Sequence, residues 1–166
     1  MTSPHYIAFE GAEACGKSTQ AALLATRMDA VLTRETGGTE VVGPALDGGR
    51  NVVSDRSLYS TLAYQGYGRE LDVEELTIIN DWAINARWPE TVIFLDTPDA
   101  LIAERLQERD LDRFEAAGEA FHRRVIEGFR TMASSNTERW ITVDGRGAID
   151  DVEATIVAAL TERGVL

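Results

Sequence analysis

A length of 166 residues is typical of one domain, and 44% hydrophobic with 27% charged residues is typical of a folded globular protein. A net charge of −12 argues against binding to a nucleic-acid backbone, and one cysteine with two histidines argues against a disulfide framework or a zinc site. No apolar run approaches the roughly 20 residues that cross a bilayer, and the first residues do not resemble a secretory signal, so we expect a cytoplasmic enzyme.

Short apolar runs alternate with amphipathic stretches along the chain. The runs predict strands over residues 6–10, 31–34, 51–55, 91–96 and 140–144, and the amphipathic stretches predict helices over residues 18–28, 73–87, 98–109, 115–137 and 149–163. Strands that alternate with helices pair in parallel and are covered on both faces. The predicted fold class is therefore α/β: a single domain over residues 1–166, built as a three-layer sandwich around a five-stranded parallel sheet.

The loop after the first predicted strand carries a phosphate-binding motif. Residues 11–18, GAEACGKS, fit the P-loop pattern G-x-x-x-x-G-K-[ST] and stand between a predicted strand and a predicted helix. Glycines let backbone N–H groups turn toward phosphate oxygens, and the helix N-terminus adds its dipole. The predicted ATP-binding residues are Gly11, Ala12, Glu13, Ala14, Cys15, Gly16, Lys17, Ser18 and Thr19.

Lys17 is the one lysine among 16 basic residues, and the other 15 are arginines. A bias toward arginine accounts for those 15 but not for the position that keeps a compact ammonium group. We predict that Lys17 reaches the outer phosphates of ATP and that the Ser18 hydroxyl is a ligand of Mg²⁺. Cys15 is predicted to be a small side chain in a tight loop rather than a reactive thiol.

A magnesium nucleotide also needs a carboxylate at a strand end beside the loop. Asp55 and Asp96 both end predicted strands, and the residue pattern alone does not separate them. Asp55 is followed at once by Arg56, a pair that suits Mg²⁺ and a second phosphate. Asp96 also suits a cap for the helix that follows Pro98, and we favour that interpretation of it.

Several segments resemble bacterial thymidylate kinases, from Tyr6 to about Leu160. Residues 9–20, FEGAEACGKSTQ, are similar to the opening of that family, and residues 33–39, TRETGGT, are similar to its T-R-E-P-G-G-T segment. Residues 55–66, DRSLYSTLAYQG, resemble D-R-Y-x-x-S-x-x-A-Y-Q-G with Ser57 in place of tyrosine, and residues 112–115, DRFE, look like the lid motif. The resemblance implies a kinase that transfers the γ-phosphate of ATP to dTMP, giving dTDP for dTTP biosynthesis.

The resemblance also implies roles for individual residues. The implied acceptor-binding residues are Glu13, Arg56, Ser60, Tyr64 and Gln65. Glu13 would meet the sugar 3′-hydroxyl, and Arg56 would hold the acceptor phosphate. Tyr64 would crowd the sugar 2′ position, while Ser60 and Gln65 would lie near the base. Asp55 would act through Mg²⁺.

Catalysis needs a cation that meets the charge developing on the transferred phosphoryl group. One branch of the family has an arginine after the P-loop carboxylate, where this chain has Ala14. The other branch supplies it from the lid, here the region from about residue 105 to 118. With Lys17 and Arg56, the predicted catalytic residues are therefore the lid arginines Arg105, Arg109 and Arg113. The acceptor phosphate is itself an anionic nucleophile, so no general base is required.

The chain departs from the family between Thr39 and Glu40, where a helical arm is absent. A true deletion and an incomplete sequence both account for this. In the family, the arm carries an aromatic residue that stacks on thymine and an arginine that reads its edge, and no residue here maps to either. The arm also contributes to the homodimer interface that the family implies. Two alternatives to a thymidylate kinase therefore stay open: a monophosphate kinase of relaxed base specificity and a catalytically impaired ATP-binding module.

Overall fold

The structure, a computed structural model, describes residues 3–34, 38–107 and 118–166. In these ranges five strands form one parallel sheet: β1 Tyr6–Glu10, β2 Val31–Arg34, β3 Val52–Asp55, β4 Thr91–Asp96 and β5 Trp140–Asp144. The predicted five-stranded parallel sheet is confirmed, and only β3 begins one residue later than predicted.

The strand order β2-β3-β1-β4-β5 puts β1 at the centre of the sheet. Phe9 of β1 is in register with Asp55 of β3 on one side and with Ile93 of β4 on the other. All residues of β1 and β3 are buried, as expected for parallel strands covered on both faces. Because the carboxyl ends of parallel strands share one edge, the loop after β1 lies between the ends of β3 and β4.

Seven helices connect the strands within the described residues. They are α1 Lys17–Arg27, α2 Gly43–Asp47, α3 Leu58–Thr61, α4 Val73–Ala83, α5 Asp99–Gln107, α6 Glu119–Ser135 and α7 Ile149–Glu162. A π-helical segment, Gly38–Val42, leads into α2, and a second one, Leu62–Gly68, continues α3. The predicted lid falls mostly on residues 108–117, which lie outside the described residues.

Two groups of buried side chains hold the helices to the sheet. Leu24 of α1 and Ile156 of α7 pack on one face, against Ile7, Phe9 and Ile93. On the other face, a second group joins α3 and α6 to β4 and β5: Tyr59, Phe94, Phe129 and Trp140, whose rings contact one another. Burial of this apolar surface supplies most of the driving force for folding.

The sequence prediction assigns no helix to residues 38–47 and 58–68, and the structure has helices in both ranges. In the second region the helical periodicity is interrupted by glycines that packing requires. A Cβ added to Gly68 would lie 2.6 Å from Phe121 Cε2 of α6, and one added to Gly128 of α6 would lie 2.5 Å from Tyr67 Cγ. The glycines therefore allow the second π-helical segment and α6 to pack closely, a tertiary reason that sequence periodicity does not contain.

Helix α4 is shorter than predicted and presents an apolar face to solvent. It ends at Ala83 rather than residue 87, because Asn85 and Ala86 adopt left-handed backbone conformations, with φ of 52° and 57°. Ile79 and Trp82 are 60% and 86% exposed. None of the described helices is long and apolar enough to cross a membrane.

Candidate active site

The P-loop turns between the end of β1 and the start of α1. Gly11 and Gly16 have φ of 140° and 102°, which glycine adopts readily. A Cβ on Gly11 would also lie 2.8 Å from the carbonyl oxygen of Leu95, so the loop approaches β4 too closely for a side chain. The predicted strand, loop and helix are therefore present in the order that a phosphate-binding loop requires.

Lys17 is the first residue of α1 and is only 5% exposed. Its Nζ donates hydrogen bonds of 3.0 Å and 2.5 Å to the carbonyl oxygens of Gly11 and Ala12, and it lies 3.5 Å from Cys15 Sγ. Burial lowers the pKa of the Lys17 ammonium from its ordinary value. The ammonium is thus held against the loop. The negative charge of a phosphate bound there would compensate for the water that burial removes, and it would favour the charged form of Lys17.

Ser18 and Asp55 face each other across the end of the sheet. The Ser18 Oγ donates a 2.5 Å hydrogen bond to Asp55 Oδ2. Asp96 is engaged elsewhere, because both of its carboxylate oxygens accept hydrogen bonds from Arg130, at 2.9 Å and 3.2 Å. Of the two aspartates that the sequence leaves open, only Asp55 contacts a residue of the P-loop helix in the described part of the chain.

Arg56 lies directly after β3 in a strained backbone conformation, with φ of 77°. Its Nη1 donates to Ser60 Oγ at 3.1 Å and its Nη2 donates to Tyr64 Oη at 3.5 Å. The guanidinium carbon also lies 5.2 Å from the centre of the Tyr64 ring, within the range of a cation–π contact. Three of the residues implied to bind the acceptor therefore form one contact group, and half-buried Gln65 follows Tyr64 in the same helical segment.

A cleft of about 460 Å³ opens over the P-loop, and we call it the P-loop cleft. Its lining includes residues 13–20, the strand-end residues Arg34, Asp55 and Arg56, and Arg105 of α5. Arg105 donates to the carbonyl oxygens of Ala14 and Gly145, each at 3.3 Å. The other two predicted lid arginines, Arg109 and Arg113, lie outside the described residues.

The charges of the P-loop cleft oppose the net charge of the chain. Its described lining includes four cations, Lys17, Arg34, Arg56 and Arg105, and two carboxylates, Glu13 and Asp55. The chain as a whole carries −12. Such a local excess of cations in an acidic protein favours the binding of a polyanion such as a nucleoside triphosphate.

Sequence reasoning missed two residues of this region. Arg34 ends β2, and its Nε lies 3.8 Å from Asp55 Oδ2. Glu10 ends β1, is fully buried, and accepts hydrogen bonds from Ser57 and Ser60. Both were detectable as charged residues at the carboxyl ends of predicted strands, where the ligands of parallel α/β sheets bind.

A second cleft of about 530 Å³, the apolar cleft, opens beside the loop. It is shared by Ala12 and Glu13, by Tyr64, and by apolar residues of α5 and α6 such as Ile102 and Ile126. Glu13 lines both clefts, so it lies where a group bound at the P-loop and a second group beside Tyr64 would meet.

No group of three histidine, cysteine, aspartate or glutamate side chains in the described part of the chain is arranged to hold a metal ion.

The parallel sheet, the P-loop at its centre and the cationic cleft place the chain among the P-loop α/β proteins. Comparison with known proteins gives the particular group: the family model described as "Thymidylate kinase" matches residues 31–156. Thymidylate kinase from Geotalea uraniireducens is 32% identical over 206 aligned residues, covering 95% of this chain and 97% of that protein. The one from Nitratidesulfovibrio vulgaris is 34% identical over 204, covering 93% and 95%. The chain belongs to the thymidylate kinase family.

A solved structure agrees with this assignment. The thymidylate kinase of Ehrlichia chaffeensis superposes with a TM-score of 0.76 at 25% identity, covering 96% of this chain and 100% of that chain. The alignments of 206 and 204 residues exceed the 166 residues of this chain, so these relatives have internal residues without counterparts here. That difference is in keeping with the arm that the sequence lacks after Thr39.

Proposed function

We propose that the protein transfers the γ-phosphoryl group of ATP to dTMP and releases ADP and dTDP. The observation that carries the proposal is the meeting of two phosphate-binding elements at one sheet edge: Lys17 and Ser18 on the P-loop helix, and Arg56 after β3. A protein that only binds ATP needs the first element. The second has a use only when another phosphate must be held in line with the first.

In the proposed reaction a phosphate oxygen of dTMP attacks the γ-phosphorus of ATP. The bond from that phosphorus to the bridging oxygen of ADP breaks, and its electron pair leaves with ADP. Lys17 neutralises charge on the outer phosphates, and Arg105, anchored over the loop by the Ala14 and Gly145 carbonyl groups, adds a second cation. Arg109 and Arg113 stay candidates for the same task.

The residues at the loop fit a magnesium ion. The Ser18 hydroxyl and the Asp55 carboxylate are hard oxygen donors already 2.5 Å apart, and Asp55 is buried at the loop. We propose that these two residues hold Mg²⁺, which supplies charge neutralisation at the donor phosphates. Asp96 is excluded from this proposal by its two hydrogen bonds to Arg130.

The acceptor is proposed to bind with its phosphate on Arg56 and its sugar between Glu13 and Tyr64. The Tyr64 hydroxyl already accepts from Arg56, and burial raises the pKa of Tyr64, so its hydroxyl stays protonated. Ser60 contacts Arg56 and Glu10, which favours a role through Arg56, and Gln65 keeps its predicted role near the base.

A second candidate function is a deoxynucleoside monophosphate kinase of relaxed base specificity. The relatives have internal residues that this chain lacks, and the family resemblance assigns the missing residues to the arm that reads thymine. The phosphate and sugar contacts do not depend on that arm. The chain would then phosphorylate several monophosphates with similar efficiency.

A coupled assay of ADP release with dTMP, dUMP, dCMP and UMP as acceptors tests the function. ADP release that requires dTMP and Mg²⁺ supports the proposal, and equal rates with the other deoxynucleotides support the second candidate. ATP binding without ADP release in any arm would leave an ATP-binding module. Arg56→Ala is the matched variant, expected to lower kcat/KM for dTMP by roughly 30-fold, about 2 kcal/mol, with little change in ATP affinity.

Two further proposals concern the surroundings of the enzyme. We propose a cytoplasmic location, in which the enzyme would meet both ATP and dTMP. The family resemblance implies a homodimer, but its interface helices belong to the missing arm. Light scattering measures the oligomeric state directly.

A further inference from the structure

Glu10 is a buried carboxylate that the proposed reaction does not use. It ends the central strand β1, is 0% exposed, and accepts three hydrogen bonds. The backbone N–H and the hydroxyl of Ser57 both donate to Oε1 at 2.7 Å, and the hydroxyl of Ser60 donates to Oε2 at 2.6 Å. A carboxylate buried this deeply is costly unless hydrogen bonds or an opposite charge compensate for its lost hydration.

Ser60 connects Glu10 to the acceptor-phosphate residue. Its hydroxyl has one proton, which it donates to Glu10 Oε2, so its lone pairs are left to accept from Arg56 Nη1 at 3.1 Å. The direction of this chain of hydrogen bonds is set by the carboxylate, because a carboxylate is only an acceptor. If an N–H donor replaced the carboxylate oxygen, the Ser60 hydroxyl would have to accept from it and turn its proton toward Arg56. The Ser60 hydroxyl and the guanidinium would then both be donors facing each other.

The backbone provides a second connection. Arg56 N donates to the Phe9 carbonyl oxygen at 3.0 Å, and the next N–H, that of Ser57, donates to Glu10. Arg56, whose left-handed φ is 77°, lies between these two contacts. The backbone on both sides of this strained residue is therefore hydrogen-bonded to β1. Glu10 thus supports the backbone conformation that directs the Arg56 side chain toward the site.

We propose that Glu10 is a positioning residue for phosphoryl transfer, which holds the Arg56 guanidinium in place through Ser60 and through the backbone of Ser57. The inference rests on the proposed function, since it uses the role of Arg56 in binding the acceptor phosphate. Burial raises the pKa of Glu10, and the hydrogen bonds from the two serines oppose that rise.

The test is calorimetric binding of dTMP and of ADP to the Glu10→Gln variant, which keeps the side-chain volume and replaces one acceptor oxygen by a donor. The dissociation constant for dTMP is expected to rise roughly tenfold or more, because a hydrogen-bond chain to a charged group is broken. The dissociation constant for ADP is expected to change less than about twofold, since the hydrogen bonds that the structure describes at the Glu10 carboxylate come from Ser57 and Ser60 and not from the P-loop.

Three further single variants and one double variant separate positioning from general destabilisation. Ser60→Ala should weaken dTMP binding like Glu10→Gln, and the double variant should lose little more, because both act through one chain of contacts. Ser60→Thr keeps the hydroxyl and should retain dTMP binding. Tyr6→Phe is the matched control: it removes a buried hydroxyl on the same strand, which accepts from Ser54, and should change neither ligand.

The inference is overturned if Glu10→Gln binds dTMP as tightly as the wild type does. It is also overturned if the variant loses affinity for dTMP and ADP equally, because that result indicates a purely structural role. Wild-type protein that binds no nucleoside monophosphate contradicts the proposed function instead. A crystal structure of Glu10→Gln then decides the inference alone: a guanidinium still on Ser60 Oγ overturns it, and a displaced one supports it.

Discussion

Ser18 and Asp55 are 37 positions apart in the sequence, yet the hydroxyl of one donates a 2.5 Å hydrogen bond to the carboxylate of the other. Ser18 comes from the helix that follows β1, and Asp55 ends β3, the neighbouring strand. Two oxygen donors at the mouth of a phosphate-binding loop are the arrangement that a magnesium nucleotide requires. The contact therefore connects the P-loop helix to the end of β3, where Arg56 follows.

This contact predicts different results for the two aspartates. Asp55→Asn should raise the Mg²⁺ concentration needed for half-maximal activity by roughly tenfold or more, because the metal loses a charged ligand. Asp96→Asn is the matched control, since Asp96 binds Arg130, and it should keep the Mg²⁺ dependence of the wild type. Activity measured against Mg²⁺ concentration tests both, and a shifted dependence in Asp96→Asn alone would reverse the assignment.

Lys17→Arg should lower kcat on the order of 100-fold or more while the protein stays folded. The ammonium fits between two loop carbonyl groups, and a planar guanidinium does not fill the same position. Turnover and circular dichroism of the purified variant are the measurements. Turnover near that of the wild type would refute the role of Lys17. Arg27→Lys is the control: it makes the reverse substitution at an exposed ion pair with Glu153, and it should not change turnover.

The base preference should be weak if the 166 residues act as they stand. Stacking on an aromatic side chain contributes roughly 1–3 kcal/mol per base in single-strand-binding proteins, and this chain lacks the arm that provides it in the family. We expect kcat/KM values for dTMP, dUMP and dCMP to differ little, and the value for UMP to be lower because Tyr64 crowds the 2′ position. A strong preference for dTMP would mean that residues outside the arm read thymine.

The buried Glu10 predicts a pH dependence of stability. Its pKa is raised in the folded protein from the ordinary value of 4.5, so above that pH the folded state holds the proton more tightly than the unfolded state. The contribution of Glu10 to the free energy of unfolding should therefore fall as the pH rises from 4.5 toward the folded pKa. Glu10→Gln lacks this titration. The free energy of unfolding of the variant should therefore increase relative to that of the wild type as the pH rises. Urea unfolding over that pH range measures it, and a pH-independent difference contradicts it.

Gly145→Ala should destabilise the protein by about 1–3 kcal/mol. The added Cβ would clash with the hydroxyl of buried Thr97, and the Gly145 carbonyl group also binds Arg105. Thr97→Ala should relieve the clash, and it removes a hydroxyl that has no hydrogen-bond partner among the described residues. Thermal unfolding of both single variants and the double variant tests this, and a double variant no more stable than Gly145→Ala alone would disprove it.

Local sequence patterns determined the strands, the P-loop and its lysine, and the pairing of Asp55 with Arg56 at a strand end. Each depends on residues close together in the chain: apolar runs, fixed glycine spacing, and the step from a buried strand to a polar turn. Only the tertiary structure showed which side chain reaches each aspartate: Ser18 contacts Asp55, and Arg130 contacts Asp96. It also decided the partners of Glu10 and the helix over residues 58–68, since strand order and close packing at glycines arise from contacts between distant segments.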